Sequence, residues 1–281
     1  MSDISDADKY FFEANNLLLQ TQNPVSSFFL LPAQLNELCR RVIELTNKAT
    51  NIYLKNKLTN SAINSYRLRA NAENKLELYD EYAETMVKIG DMLNNNFSVN
   101  SYYEAYNKAK KYQNINKIFK LCSKIIKCYQ KNNNQQEIIN FSTYILEKHL
   151  FHSDQSNFIK ELLADAYFQK QLYVESKNIM EELVAVYIKY PLKLRLCNNL
   201  IFKILLSYLA VGQLTQTIKK FYYYSELVPT FIFSDKTKFI TPIIGSIFKK
   251  DELKYCQIVE TYNKNSDEYF VLLLLRYIYW I

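Results

Sequence analysis

Apolar residues recur at helical spacing from Asn157 to Phe231, the most regular stretch of the chain. They fall at i, i+3, i+4, i+7 and i+8, which is the buried face of an amphipathic helix and not of a strand. Four such patterns follow one another: Ile159, Leu162, Leu163, Ala166 and Tyr167; Met180, Leu183, Val184, Tyr187 and Ile188; Cys197, Leu200, Ile201, Ile204, Leu205 and Tyr208; and Leu214, Thr217, Ile218 and Phe221. The turns between them are short, so we predict two stacked antiparallel hairpins.

Short polar breaks divide the whole chain in the same way. They lie near Lys57, Asn95, Asn133, Leu172, Gln213 and Asp251, at intervals of 38, 38, 39, 41 and 38 residues. A constant period near 40, filled by two helices, is typical of repeat proteins built from helical hairpins. We therefore predict an all-α fold, a tetratricopeptide-like right-handed α-solenoid of antiparallel helical hairpins.

Apolar periodicity predicts the helices outside this stretch. Their bounds are Asp6–Gln20, Leu35–Lys55, Asn60–Asn74, Leu76–Leu93, Val99–Tyr112, Asn116–Lys131, Gln135–Leu150, Lys236–Phe248, Glu252–Asn263 and Asp267–Ile281. The last helix is apolar around most of its circumference, as expected for a helix inside a bundle.

Composition argues against an enzyme. The chain has 3 glycines and 5 prolines in 281 residues, too few glycines for the turns and phosphate loops of an α/β enzyme of this size. The two histidines, His149 and His152, have no cysteine or carboxylate at ligand spacing. No catalytic arrangement of side chains stands out. We expect no catalytic residue, no metal and no cofactor.

Charge and cysteine content bear on partners and location. The net charge of +7 favours an acidic partner, although a modest excess of lysine on any protein surface explains it as well. Five cysteines within helical patterns are expected to be buried thiols in a reducing compartment. An acidic, polar N-terminus gives no sign of a signal peptide, so we expect the cytoplasm.

A stripe of lysines follows one face of the helix predicted at Asn116–Lys131. Its members are Lys117, Lys120, Lys124, Lys127 and Lys131, and the opposite face carries Ile118, Leu121, Cys122, Ile125 and Tyr129. A solvated outer face explains such a stripe. Five like charges on one face also repel each other, and an acidic partner would relieve that repulsion.

A second feature is a loop between Pro24 and Pro32. It holds four consecutive large apolar residues, Phe28, Phe29, Leu30 and Leu31. They either fold back onto the first hairpin or form an exposed finger that enters a membrane or a partner.

Several short motifs, in order, resemble the soluble attachment proteins of the membrane-fusion ATPase, of the α/β-SNAP type. They are Ser27-Phe28-Phe29 after a short first helix, Gln171-Leu172-Tyr173 at a hairpin turn, Glu226-Leu227-Val228-Pro229-Thr230-Phe231, and Leu273-Leu274-Leu275-Arg276. The resemblance covers nearly the whole chain.

The resemblance implies a fold and a set of partners. It implies one SNAP-like domain over 1–281, with a twisted sheet of hairpins over about 1–231 and a C-terminal helical bundle over about 232–281. Such adaptors wrap an acidic SNARE bundle (syntaxin-like proteins), dock onto an NSF-type AAA+ ATPase and touch the membrane peripherally through the Phe-Phe loop. Vesicle-mediated transport and membrane fusion are the processes this implies.

The resemblance also assigns residues. Lys120 and Lys160 match lysines on the SNARE-facing surface, and Asn198 stands where a third is expected. The basic face is then Lys117, Lys120, Lys124, Lys160, Lys193, Arg195 and Lys203; the membrane loop is Phe28, Phe29, Leu30 and Leu31; and the weaker ATPase-docking candidates are Asp251, Glu252 and Glu260. The acidic, leucine-ended tail of the family has no counterpart, so we expect weaker ATPase stimulation.

Two other interpretations stay open at this point. One is a tetratricopeptide-like scaffold or SNAP mimic that does not activate the ATPase. The other is a nucleic-acid-binding solenoid, which only the positive charge suggests; we expect no nucleic acid.

Overall fold

A computed structural model of the protein describes residues 2–23, 30–93, 96–112 and 114–265. Within these ranges the chain forms fourteen α-helices and two short 3-10 helices, with no strand. The predicted all-α, tetratricopeptide-like fold is confirmed. The chain divides into two compact units, Met1–Asn133 and Asn134–Ile281. The predicted change from hairpins to a bundle at residue 231 stays a prediction.

The described residues of the first unit form six helices, each packed on the next along the chain. They are α1 Ser2–Gln22, α2 Pro32–Lys55, α3 Thr59–Lys75, α4 Tyr79–Met92, α5 Asn96–Ala109 and α6 Ile115–Lys131, with a 3-10 helix at Lys110–Tyr112. Its described core holds two clusters between α1, α2 and α3, one around Leu45 and one around Tyr53.

In the second unit, residues 134–265 form the other eight helices of the described ranges. They are α7 Gln135–Lys148, α8 Ser153–Gln169, α9 Tyr173–Tyr187, α10 Leu194–Ala210, α11 Leu214–Leu227, α12 Pro229–Ile232, α13 Asp235–Lys249 and α14 Glu252–Asn265, with a 3-10 helix at Pro191–Lys193. The centre of this unit is α10, which buries residues on every side, including the consecutive run from Ile204 to Ala210. Helices α9, α11, α12 and α13 all contact α10.

Residues with left-handed backbone at the helix ends form the turns that recur along the chain. Positive φ angles occur at Lys57, Glu77, Asn133, Gln171, Gly212 and Lys250. Five of these six positions lie within one residue of a predicted polar break, so the period near 40 is confirmed. At Gln171 the next N–H, of Leu172, donates to the carbonyl of Tyr167 at 2.9 Å, which satisfies a carbonyl at the end of α8.

The sixth position, Glu77, lies where one predicted helix begins later than expected. The sequence pattern predicts a helix over Leu76–Leu93, but α4 begins at Tyr79. Glu77 is left-handed, with φ 57°, and the Leu78 N–H donates to the Glu73 carbonyl at 2.9 Å. Residues 76–78 therefore form the turn after α3 and not the start of α4, although their apolar spacing continues into α4.

Tyrosine hydroxyls bond to carboxylates on other helices. The donor–acceptor pairs are Tyr53–Asp8, Tyr82–Glu104, Tyr102–Asp91, Tyr187–Glu161, Tyr208–Glu181 and Tyr224–Glu181. Burial, and then the carboxylate acceptors, raise the pKa of Tyr53, Tyr82, Tyr102 and Tyr187 well above the usual range. These tyrosines stay protonated and remain donors across the ordinary pH range.

Glu181 collects several of these contacts at one place. It accepts from Tyr208 at 3.0 Å and Tyr224 at 3.4 Å, and it pairs with Lys220 at 2.8 Å. Lys220 also lies 5.7 Å from the centre of the Tyr224 ring. One carboxylate thus links α9, α10 and α11.

Replacing Gln171 by glycine is expected to stabilise the protein by about 0.5–1 kcal/mol, because glycine adopts left-handed backbone without steric cost. The matched control is Lys170→Gly, where φ is −83° and glycine only adds freedom to the unfolded chain. Thermal unfolding should move up for the first variant and down for the second. A downward shift for both would contradict this account of the turn.

Replacing Glu181 by glutamine is expected to destabilise the second unit by about 1–2 kcal/mol, because the charge shared by Lys220 and two hydroxyls is lost. The neighbouring Glu182→Gln is the control. Glu182 is largely exposed and pairs only with Lys160 among the described residues, so its change should cost well under about 1 kcal/mol. Chemical denaturation of both variants measures the difference, and equal losses would disprove the linking role of Glu181.

Candidate functional site: the basic face

Helix α6 presents the predicted lysine stripe on a well-defined frame. The Asn114 side chain accepts from the Lys117 N–H at 3.1 Å, and this cap starts the helix at Ile115. The predicted apolar face is buried at Ile118, Leu121, Cys122 and Ile125, and half-buried at Tyr129. The lysines are therefore fixed on the opposite side.

Two lysines of the stripe are held by carboxylates of α4. The Lys117 ammonium lies 3.1 Å from Asp80 and 3.6 Å from Glu84, and Lys124 pairs with Asp91. The hydrogen bond to Asp80 raises the pKa of Lys117 above its ordinary value. Lys120, between them on the helix, is exposed and has no ion pair within the described part of the chain.

Basic candidates of the second unit are paired in the same way. Lys160 lies 2.8 Å from Glu182, Lys193 lies 2.6 Å from Asp154, and Lys203 lies 2.6 Å from Asp165. Lys193 also stacks on the Tyr187 ring, at 5.1 Å from its centre. Arg195 is exposed and, among residues 134–265, has no ion-pair partner.

Five of the seven predicted basic residues therefore carry a carboxylate partner. The repulsion expected along the lysine stripe is reduced, because Lys117 and Lys124 are neutralised locally. Each ion pair is at least partly exposed, and pairs of this kind contribute about 0–1 kcal/mol. An acidic partner can thus replace these carboxylates at a small cost in free energy.

Sequence reasoning missed the carboxylates. Their signal was present: Asp154 precedes Lys193 by 39 residues, and Asp165 precedes Lys203 by 38. That separation is one repeat period, so each pair joins equivalent segments of successive hairpins. Both aspartates lie in α8. Lys203 lies in α10, and Lys193 lies in the 3-10 helix just before α10. An acidic residue one period before a lysine is the pattern to look for.

The other predicted sites are placed only in part. Phe28 and Phe29 lie outside the described residues. Leu30 is half-buried, whereas Leu31 is 65% exposed immediately before α2. Its N–H donates to the Gln34 side chain at 3.0 Å, which fixes the exit from the loop.

The acidic candidates lie along α14. Asp251 caps that helix, since its carboxylate accepts from the Lys254 N–H at 3.1 Å. Glu252 lies in the first turn, and Glu260 lies more than two turns further on; both are exposed. Asp251 is thus already engaged by its own helix, and the two glutamates are the exposed members of the set.

Cysteine burial differs from the expectation at two positions. Cys39, Cys122 and Cys197 are buried thiols, as predicted, but Cys128 is half-buried and Cys256 is exposed. Burial raises the pKa of Cys122 to about 12. Cys256 lies on the exposed side of α14. The buried side of that helix carries Tyr255 and Val259.

Comparison with known proteins identifies the family. The model of the family described as "Soluble NSF attachment protein, SNAP" matches residues 6–277. The chain belongs to the SNAP family. Two of the motifs that carry the resemblance lie in the described residues: Val228 and Phe231 are fully buried around α12, and Gln171 is a left-handed turn residue. The motifs at 27–29 and 273–276 lie outside the described residues. The protein is a SNAP-like helical adaptor.

Solved structures show more distant likenesses. One is BtubC (BKLC) from P. vanneervenii, with 12% identity and a TM-score of 0.41, over 80% of this chain and 89% of that one. Another is a putative kinesin light chain from Podosopora anserina with nearly identical TPR-like repeats, with 15% identity and a TM-score of 0.29, over 82% and 97%. Likenesses this distant say nothing about partners. No curated protein matches the chain significantly.

No helix in the described ranges combines the length and the apolar character that crossing a membrane requires.

Thiol labelling at neutral pH should separate the cysteines. Cys256 is expected to react first, while Cys122 should react only on unfolding, because burial both shields it and raises its pKa to about 12. Raising the pH from 7 to 9 should leave Cys122 unreactive, because its pKa of about 12 lies above both values. Mass spectrometry of the labelled protein measures this. Early labelling of Cys122 would contradict the burial of this side chain beneath α6.

Proposed function

We propose that this SNAP-family protein is an adaptor that binds SNARE complexes and recruits an NSF-type AAA+ ATPase for their disassembly in vesicle trafficking. The family match over residues 6–277 carries the proposal. The basic face supports it, because every predicted basic residue that the structure describes lies at least partly at the surface. An acidic helical bundle is the partner whose charge fits this face.

The basic residues take two roles in this proposal. Lys120 and Arg195, which have no ion-pair partner among the described residues, make the first contacts with the acidic bundle. The paired lysines, such as Lys160 and Lys193, exchange their own carboxylates for those of the SNAREs. This exchange makes binding sensitive to salt, since surface charges are screened within about 8–10 Å at ordinary ionic strength.

Membrane and ATPase contacts complete the proposal. The loop of Phe28, Phe29, Leu30 and Leu31 adds a weak membrane contact, and the 65% exposure of Leu31 is in keeping with it. On the ATPase side, Glu252 and Glu260 are the exposed acidic candidates.

Reversing Lys120 and Lys160 to glutamate should weaken binding to assembled SNARE complex by at least about tenfold at low salt, because attraction becomes repulsion. Lys9→Glu with Lys238→Glu is the matched control. It alters one exposed lysine in each unit and changes the net charge equally. Binding is measured by pull-down or interferometry, with circular dichroism as the test of folding.

Removing a competing carboxylate gives the opposite change. Glu182→Gln releases Lys160 and should strengthen SNARE binding, and this gain should vanish in the Lys160→Glu background. Unchanged binding in all of these variants would remove the basic face from the mechanism. SNARE binding without any stimulation of ATP turnover would favour the alternative, a SNAP mimic or tetratricopeptide-like scaffold that does not activate the ATPase.

A further inference from the structure

A row of exposed apolar side chains follows one end of the helices in the second unit. Leu150 is 98% exposed, Leu192 is 97% exposed and Phe233 is 81% exposed. Each lies in a short connection, called a turn here, at 149–152, 188–193 and 228–234, after α7, α9 and α11. The second turn includes the 3-10 helix Pro191–Lys193, and the third includes α12. We call these three side chains the apolar rim.

Side-chain contacts place these turns next to each other. Lys193 in the second turn pairs with Asp154, two residues after the first turn, at 2.6 Å. Thr230 in the third turn lies 3.4 Å from Asn198, in the first turns of α10. The rim positions are separated by 42 and 41 residues, one repeat each, so each connection between successive hairpins contributes one protruding side chain.

These exposures are not what folding favours. A turn tip in water is ordinarily polar, and single exposed apolar residues need no explanation. Three nearly fully exposed large apolar residues at equivalent positions form a set, and Tyr190 and Ile232, about half-exposed, extend it. The set calls for a surface that takes in protruding side chains.

Charge around the rim favours one such surface. The segments 147–154, 188–195 and 226–238 carry six basic and four acidic residues, an excess of two positive charges. Asp154 and Asp235 are already paired, with Lys193 and Lys238. Exposed Lys148 and Lys189 have no ion pair among the described residues. Exposed apolar side chains flanked by an excess of basic residues are typical of contact with an anionic bilayer.

We propose that the apolar rim is a surface for an anionic lipid bilayer, with Leu150, Leu192 and Phe233 entering the headgroup region and Lys148 and Lys189 contacting lipid phosphates. This contact is separate from the loop of Phe28, Phe29, Leu30 and Leu31. It does not depend on SNARE binding, so the two proposals fail independently. Its effect is to raise the local concentration of the second unit at membranes.

The test is flotation with phosphatidylcholine vesicles, with and without phosphatidylserine. The full chain carries Phe28→Ser and Phe29→Ser, so that binding by the loop is removed. Adding Leu150→Ser and Leu192→Ser should lower partitioning onto the anionic vesicles by about tenfold or more. Lys148→Gln with Lys189→Gln should weaken it less, and should reduce its dependence on salt.

Leu253→Ser is the matched control. Leu253 is 78% exposed on the same unit, but it lies beside the turn at 250–251, where α13 ends, and so at the other end of the helices. This variant should float like its parent. Because the rim side chains are exposed, helicity and thermal stability should not change in any variant.

Three results would overturn the proposal. The first is equal flotation of the rim and control variants, and the second is binding that ignores phosphatidylserine. The third is loss of self-association in the rim variant, seen by analytical ultracentrifugation with flotation unchanged, which would assign the rim to a second copy of the chain.

Discussion

Carboxylates that are shared between helices hold successive hairpins of each unit together. Asp91 takes both the Tyr102 hydroxyl and the Lys124 ammonium, and Glu181 takes two tyrosines and Lys220. The apolar core gives each helix a face to bury but little information about its position along the neighbour. Hydrogen bonds to a charged group are directional and stronger than neutral ones, so they fix that position. The tyrosines that donate to these carboxylates, such as Tyr102 and Tyr208, serve packing and registration together.

Most of the fold is readable from the sequence, because helical periodicity and turn spacing are both local signals. The predicted α6 differs from the structure by one residue at its start, and its buried face is the predicted one. The predicted boundary between α3 and α4 is wrong for a physical reason. A left-handed Glu77 ends α3 without a glycine or proline, while the apolar spacing runs on unbroken. Conformation at a single φ angle is not visible in such a pattern.

The candidate site is less readable than the fold. Family resemblance selects Lys120 and Lys160, and periodicity places Lys117 and Lys124 on one face, but neither predicts which lysines are paired. Pairing is decided by residues about one repeat away, as with Asp154 and Lys193, or across a hairpin, as with Lys160 and Glu182. Only the packing of helices brings those residues within 4 Å. The same holds for Cys256, whose helical spacing predicts burial although α14 turns it outward.

The internal ion pairs also bear on the entropy of recognition. A lysine in water samples many rotamers, and fixing them opposes binding by up to about 1.5–2 kcal/mol. Lys193 is already confined by Asp154 and the Tyr187 ring, and Lys203 by Asp165 and the Phe168 ring. Most of this rotamer entropy is therefore already lost when the protein folds. A partner that takes over such an ammonium meets a side chain already extended and oriented, which makes the paired lysines a preorganised part of the surface.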